Sequence, residues 1–148
     1  MTSEVVIIHP RVAKISLPMV PPSVNHYVAH GVATNKRTGE QHNFHGKSSA
    51  AKAFEHDFSL FVRGAYVVSQ SGRFAVTLEY WPAPGAKGDV DNFNKLPLDC
   101  CAKAGMFRNS KGEEVSDAWV KRLVIEIHDS KEDRQLGPKT EITIEGMG

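Results

Sequence analysis

The sequence has only two cysteines, Cys100 and Cys101, and they are adjacent. Neighbouring cysteines rarely close a disulfide on each other and lack the spaced pairs of a zinc site, so both a disulfide scaffold and structural zinc are set aside. Reduced, partly buried thiols are expected instead. No apolar run approaches the ~20 residues of a membrane span, so no membrane partner is expected. The amino terminus starts acidic and carries a short apolar run, Val5-Val6-Ile7-Ile8. That is neither a basic leader region nor a signal core, and a cytoplasmic protein is expected. The net charge of +1 lacks the basic excess that often marks a nucleic-acid protein. Repeats, low-complexity tracts and long linkers are also missing. What remains is 148 residues, 41% hydrophobic and 24% charged, enough for one domain with a real core and little room for a second. That single domain is expected to span residues 1–148, with 1–12 as an amino-terminal extension.

Charge is uneven even though its sum is small. Between His26 and Lys52 stand Lys36, Arg37, Lys47 and Lys52 against Glu40 alone, with His26, His30, His42 and His45 among them. On its own this segment reads as a solvated basic loop.

Apolar patterning gives a coarse map. A first strand is expected in Ala13–Val20, closed by Pro21-Pro22. Tyr27–Phe44 reads as a hairpin turning at Lys36-Arg37-Thr38-Gly39. Ser48 or Ser49 offers a cap for a helix of about five turns, with Ala51, Phe54, Phe58, Phe61, Val62 and Ala65 on one stripe and Gly72 as its stop. Phe74, Val76, Leu78 and Tyr80 alternate as a strand with one buried face. A second helix is expected over Asp91–Ala104, with Phe93, Leu96, Cys100 and Ala104 inward, a kink at Pro97 and Gly105 at its end. Asp117–Ile127 reads as a strand with Leu123, Ile125 and Ile127 on one face, and Ile142 and Ile144 mark a short last strand. Helices and strands mix without strict alternation, which predicts an α+β fold: a mixed sheet with two main helices packed on it.

The most informative stretch is Gly88-Asp89-Val90-Asp91-Asn92-Phe93-Asn94-Lys95. Asp89 and Asp91 are expected at a helix entrance, where unsatisfied N–H groups and the dipole favour anions. A helix cap explains one Asp but not two a residue apart. Two carboxylates so close repel each other, and a hard divalent ion relieves this; magnesium is typically held by one or two carboxylates with water and substrate phosphate. Lys95 shares a helical face with Asp91 and Asp99, so it forms either a surface ion pair or a positive charge set against a phosphate. An Asp-x-Asp glycosyltransferase would normally carry a larger nucleotide-binding domain, and no nucleotide cofactor is expected.

This stretch resembles the active-site segment of the RusA-like Holliday junction resolvases of phages and bacteria. In that family Asp-x-Asp-Asn is followed by a Lys, an Asp in the same helix and a Gly near its end, matched here by Asp89, Asp91, Asn92, Lys95, Asp99 and Gly105. The family's next strand opens with Asp-Asp-x-x-Val; here Ser116-Asp117-Ala118-Trp119-Val120 keeps the second Asp and replaces the first by Ser. Leu17-Pro18 and Pro21-Pro22-Ser23-Val24-Asn25 resemble its opening signature, so the likeness spans Ile15 to Ile144. One departure is Arg108–Val115, longer than the family's connection, which leaves Glu113 or Glu114 as alternatives to Asp117.

The resemblance implies a structure-specific endodeoxyribonuclease acting in DNA recombination and repair on four-way or branched DNA as a two-fold homodimer. Its cofactor would be Mg2+, with Mn2+ as a substitute. Asp89, Asp91 and Asp117 would hold the metal, Lys95 would stabilise the transition state, and Asn92 and Asp99 would support the ligands. The basic segment then gains a use, with Asn25, Tyr27, Lys36, Arg37 and Lys47 contacting DNA. The alternative is a non-catalytic DNA-binding phage accessory protein with the same fold, which Ser116 and the long connection would favour.

Overall fold

The structure is a computed structural model that describes residues 4–9, 11–21, 28–34, 36–47, 49–85 and 95–148. Asn25, Tyr27, Asp89, Asp91, Asn92 and Phe93 lie outside the described residues, while Lys47 and Lys95 are described in their backbone only.

Five strands form the main sheet: β1 (Glu4–His9), β2 (Val12–Leu17), β6 (Phe74–Trp81), β8 (Val120–Ile127) and β9 (Lys139–Gly146), in the order β1-β2-β9-β6-β8. All neighbours are antiparallel except β6 and β8, which run parallel. The sheet is therefore mixed, and the fold is α+β as the patterning predicts. Residues 4–9, read from sequence as part of an extension, instead form the edge strand β1 on β2. β9 is no short terminal strand: its eight residues lie between β2 and β6. Two helices accompany the sheet, α1 (Ser49–Phe61) and α2 (Lys95–Lys103), with a single helical turn, α3 (Lys131–Arg134), near the end.

The sheet's alternation decides where the core lies. Ile15 and Leu17, Phe74, Val76, Leu78 and Tyr80, and Ile142 and Ile144 are all buried on one face. Against them pack Ala51, Phe54, Phe58 and Val62 of the α1 region, Leu96, Cys100 and Cys101 of α2, and Met106 and Phe107. Helix α1 is shorter than the apolar stripe suggests. Gly64, at φ 80°, ends it, and Phe61 and Ala65 only flank the core. A Glu55–Lys103 ion pair at 3.1 Å links α1 to α2.

Pro97 is the third residue of the described α2 (Lys95–Lys103). The helix ends where Gly105 was expected to end it. Gly105 adopts φ 71°, its N–H bonds to the carbonyl of Ala102 and that of Met106 to Cys101, the pairing of a Schellman cap. A Cβ at Gly105 would also collide with the Glu114 carboxylate.

β3 (Val28–Thr34) and β4 (Gln41–Lys47) form the expected hairpin, turning through Gly39 at φ 76°. A two-residue parallel pair, β5 (Val67–Val68) with β7 (Phe107–Arg108), has no periodic signal in the sequence because two residues cannot show a period.

Candidate functional site

Parallel strands need a crossover connection, usually with a helix. Between β6 and β8 that crossover contains α2, so the chain returns to β8 alongside the helix that follows the Asp89–Asn94 segment. The return begins with a 3-10 turn, Asp117–Trp119, and this turn contacts α2. Ser116 caps it, its hydroxyl accepting from the Ala118 N–H at 3.3 Å. The first part of the expected strand Asp117–Ile127 is thus a capped turn, and the strand starts at Val120.

At that start the register slips: Phe74 pairs with Val120 but Ala75 with Arg122, leaving Lys121 as an extra residue. The slip lets Val120 share a face with Leu123, Ile125 and Ile127, which an unbroken alternation would forbid. The Lys121 ammonium donates to the Ala118 carbonyl at 2.9 Å and lies 5.6 Å from the Trp119 ring centroid.

Asp117 is half-buried, and the turn it opens packs on α2, the helix that carries Cys101. Burial pushes the Cys101 thiol well above its ordinary range, Cys100 adds to the shift, and the Asp117 carboxylate adds more. Both cysteines are buried thiols that form no disulfide. Burial, with Cys101 beside it, likewise raises the Tyr80 hydroxyl. A thiol whose folded pKa is raised lends stability that is fully present below the unfolded pKa of about 8.5 and lost as pH rises. Denaturant titrations should therefore show stability falling as pH rises past about 8.5 and continuing to fall with further alkalinity, with a shallower fall in Cys101→Ala. Equal slopes in the two proteins would show that Cys101 is not the group responsible.

The long connection before Asp117 folds as a tight hairpin. Asn109 accepts through Oδ1 from the N–H groups of Lys111 (2.9 Å) and Glu113 (3.0 Å), Gly112 turns at φ 78°, and the Val115 N–H bonds to the Phe107 carbonyl at 2.9 Å. Residues 109–113 loop out and the chain comes back to Phe107 through Val115 before it reaches Asp117. Both acidic alternatives are engaged in this hairpin: Glu113 accepts from the Asn109 amide at 3.4 Å and Glu114 pairs with Arg108 at 3.6 Å. Asp117, not either glutamate, is the acidic group that raises the α2 thiol.

Of the other expected site residues, Lys95 opens α2 and Asp99 follows one turn later, half-buried. Lys36 and Arg37 are exposed in the β3–β4 turn, and Lys47 closes β4. Asp89, Asp91 and Asn92, with Asn25 and Tyr27, lie outside the described residues; of that set the structure shows the turn opening at Asp117 packed on α2, the helix that carries Lys95 and Asp99.

A second group escaped the sequence reading. On the sheet face away from the core, Glu79 of β6 sits in register with Glu126 of β8, and His128 follows. His128 Nε2 lies 3.2 Å from Glu79 Oε1 and 3.9 Å from Glu126 Oε2. The imidazole stacks on Trp81 with centroids 4.2 Å apart, and Lys139 Nζ is 4.0 Å from the Trp81 ring centroid. The ligand atoms of Glu79, Glu126 and His128 lie within 4.8 Å of one another, so this group could hold a metal ion. The length of β8, roughly 26 Å at about 3.3 Å per residue, separates it from Asp117. Glu126-x-His128 is visible in the sequence as a same-face pair, but Glu79 joins it only through strand pairing.

Among the described residues no helix is long and apolar enough to cross a membrane. No protein-family model matches the chain, and no curated protein matches it.

Proposed function

We propose that this chain is a magnesium-dependent endodeoxyribonuclease of the RusA-like kind that cuts four-way or branched DNA. The observation that carries the reading is the position of Asp117 beside α2, the helix that follows Asp89-Val90-Asp91-Asn92 in the chain. In this reading Asp89 and Asp91, just before α2 in the sequence, and Asp117, in the turn packed on α2, supply the oxygen ligands that a hard cation takes. When bound, magnesium would activate water and relieve the charge that builds on the phosphate.

Asp89, Asp91 and Asp117 hold the ion in this reading, Lys95 stabilises charge on the phosphate, and Asn92 and Asp99 orient the ligands. The Ser at 116 weakens the resemblance less than its chemistry suggests. That position caps a turn, and Ser and Asp are near-equal caps. The exposed Lys36 and Arg37 suit phosphate contacts, as do Lys47, Asn25 and Tyr27. Paired cuts across a junction suit a two-fold homodimer.

The test is cleavage of a synthetic four-way junction in magnesium, with flap and duplex DNA alongside. Wild-type protein should cut the junction, and Asp89→Asn should bind it without cutting. Cleavage by Asp89→Asn at the wild-type rate would sink the mechanism. Junction binding with no cutting by the wild type would favour a DNA-binding accessory protein.

A further inference from the structure

Two residues past Asp117, the chain presents a feature that metal chemistry does not need. Trp119 is 47% exposed, an unusual setting for the largest apolar side chain, and Lys121 stands over its ring. Trp119 borders a groove of about 230 Å³ shared with Gln70, Ser71, Asn109, Ser110 and Val115.

Both walls of this groove are fixed by hydrogen bonds. On one side the Ser69 hydroxyl donates to the Arg73 carbonyl at 2.6 Å and the Ser71 hydroxyl to the Met147 carbonyl at 2.7 Å, around the Gly72 turn. On the other, Asn109 organises its hairpin through its own side chain. A site with such walls exists before its ligand arrives, so little ordering entropy opposes binding.

Size and lining narrow the occupant. The groove is smaller than the ~300–1,000 Å³ of a drug-sized or cofactor pocket, so it suits one planar ring and not a whole nucleotide cofactor. An exposed indole flanked by a lysine is the pairing used to stack bases of single-stranded nucleic acid. Arg73 and Lys111, both exposed, each adjoin a lining residue in sequence, where a strand's phosphates would run.

We propose that this groove binds one unstacked base of a DNA strand, with Trp119 as its stacking platform. The inference rests on the nuclease reading for its substrate, and it gives the long 109–115 connection a purpose, since Asn109, Ser110 and Val115 build one side. A flap carries unpaired bases on its single strand, and the crossover of a four-way junction interrupts stacking so that a base there leaves its pair at lower cost than in a continuous duplex. Trp119 would therefore favour branched DNA without touching the reacting atoms.

Trp81 and Trp119 are the two tryptophans of the chain, so Trp81→Phe leaves Trp119 as sole reporter. With calcium replacing magnesium, a short oligothymidylate should quench its emission to saturation, and a matching duplex should not. Trp119→Ala should weaken binding to a flap or junction by about tenfold, the worth of one stacked base, and leave duplex affinity unchanged. Trp119→Phe should recover most of the loss. Absence of quenching, or an equal loss on branched and duplex DNA, would overturn the stacking site. Junction cleavage by the wild type in magnesium, run in parallel, tells the two ideas apart. Cutting without quenching leaves the nuclease and removes the base site, whereas quenching without cutting does the reverse.

Discussion

Asp117→Asn is expected to lower magnesium-dependent junction cleavage by more than about a hundredfold while the protein stays folded and still binds DNA. Loss of a partner that only orients a metal ligand costs about 10–100-fold, so a ligand itself should exceed that range. The fold should tolerate the change. Asn keeps the shape of the side chain, the turn is capped by Ser116 and not by Asp117, and removing the carboxylate relieves the charge pressing on the Cys101 thiol. A thermal melt within a degree or two of wild type would show this. The controls are Glu113→Gln and Glu114→Gln, whose carboxylates serve the hairpin through Asn109 and Arg108. Both should cut at close to the wild-type rate. If Glu114→Gln instead matches the loss at Asp117, the third carboxylate has been assigned to the wrong residue.

Phe107→Ala should be the most damaging single change to the fold, at about 3–5 kcal/mol, the range for emptying a large aromatic site in a core. Phe107 is fully buried and its ring centroid lies 5.0 Å from that of Phe74 on the central strand β6. It also bridges two parts of the molecule. Its strand β7 pairs with β5, and its carbonyl receives the Val115 N–H that steers the chain towards Asp117. Against a total stability of roughly 5–15 kcal/mol, the variant should be marginal at room temperature. Urea unfolding should show a midpoint shift with an unchanged slope. A loss under about 1 kcal/mol would mean that the β5–β7 pair lies outside the cooperative core, since core truncations of this size do not cost so little.

Particular elements show how far the sequence could be read. Strand β6 was legible because one face is buried and the other half-exposed, so Phe74, Val76, Leu78 and Tyr80 stand out at period two. The end of α2 was legible because Gly105 supplies a positive φ that few other residues adopt. Helix α1 was overestimated: apolar residues continued at helical spacing past Gly64, and spacing does not reveal where a backbone turns away. β1 was read as part of an extension because an edge strand has a partner on one side alone and its apolar run is short.

The candidate site divides along the same line. Local order alone set Asp89, Asp91 and Lys95 in one short stretch of sequence and Lys36 and Arg37 in one turn, since nearness along the chain needs no folding. It also marked Cys100 and Cys101 as thiols for the interior. Tertiary structure alone decided where the acidic residues of this connection end up. The crossover to a parallel strand and the hairpin that loops out residues 109–113 set the turn opening at Asp117 against α2, and put the Glu114 carboxylate beside Gly105 just past the end of that helix, where it pairs with Arg108. The same holds for Glu79, Glu126 and His128, and for the groove beside Trp119, whose members are joined by strand pairing and packing. Contacts between residues forty or more positions apart depend on the path of the whole chain, and no local spacing encodes that path.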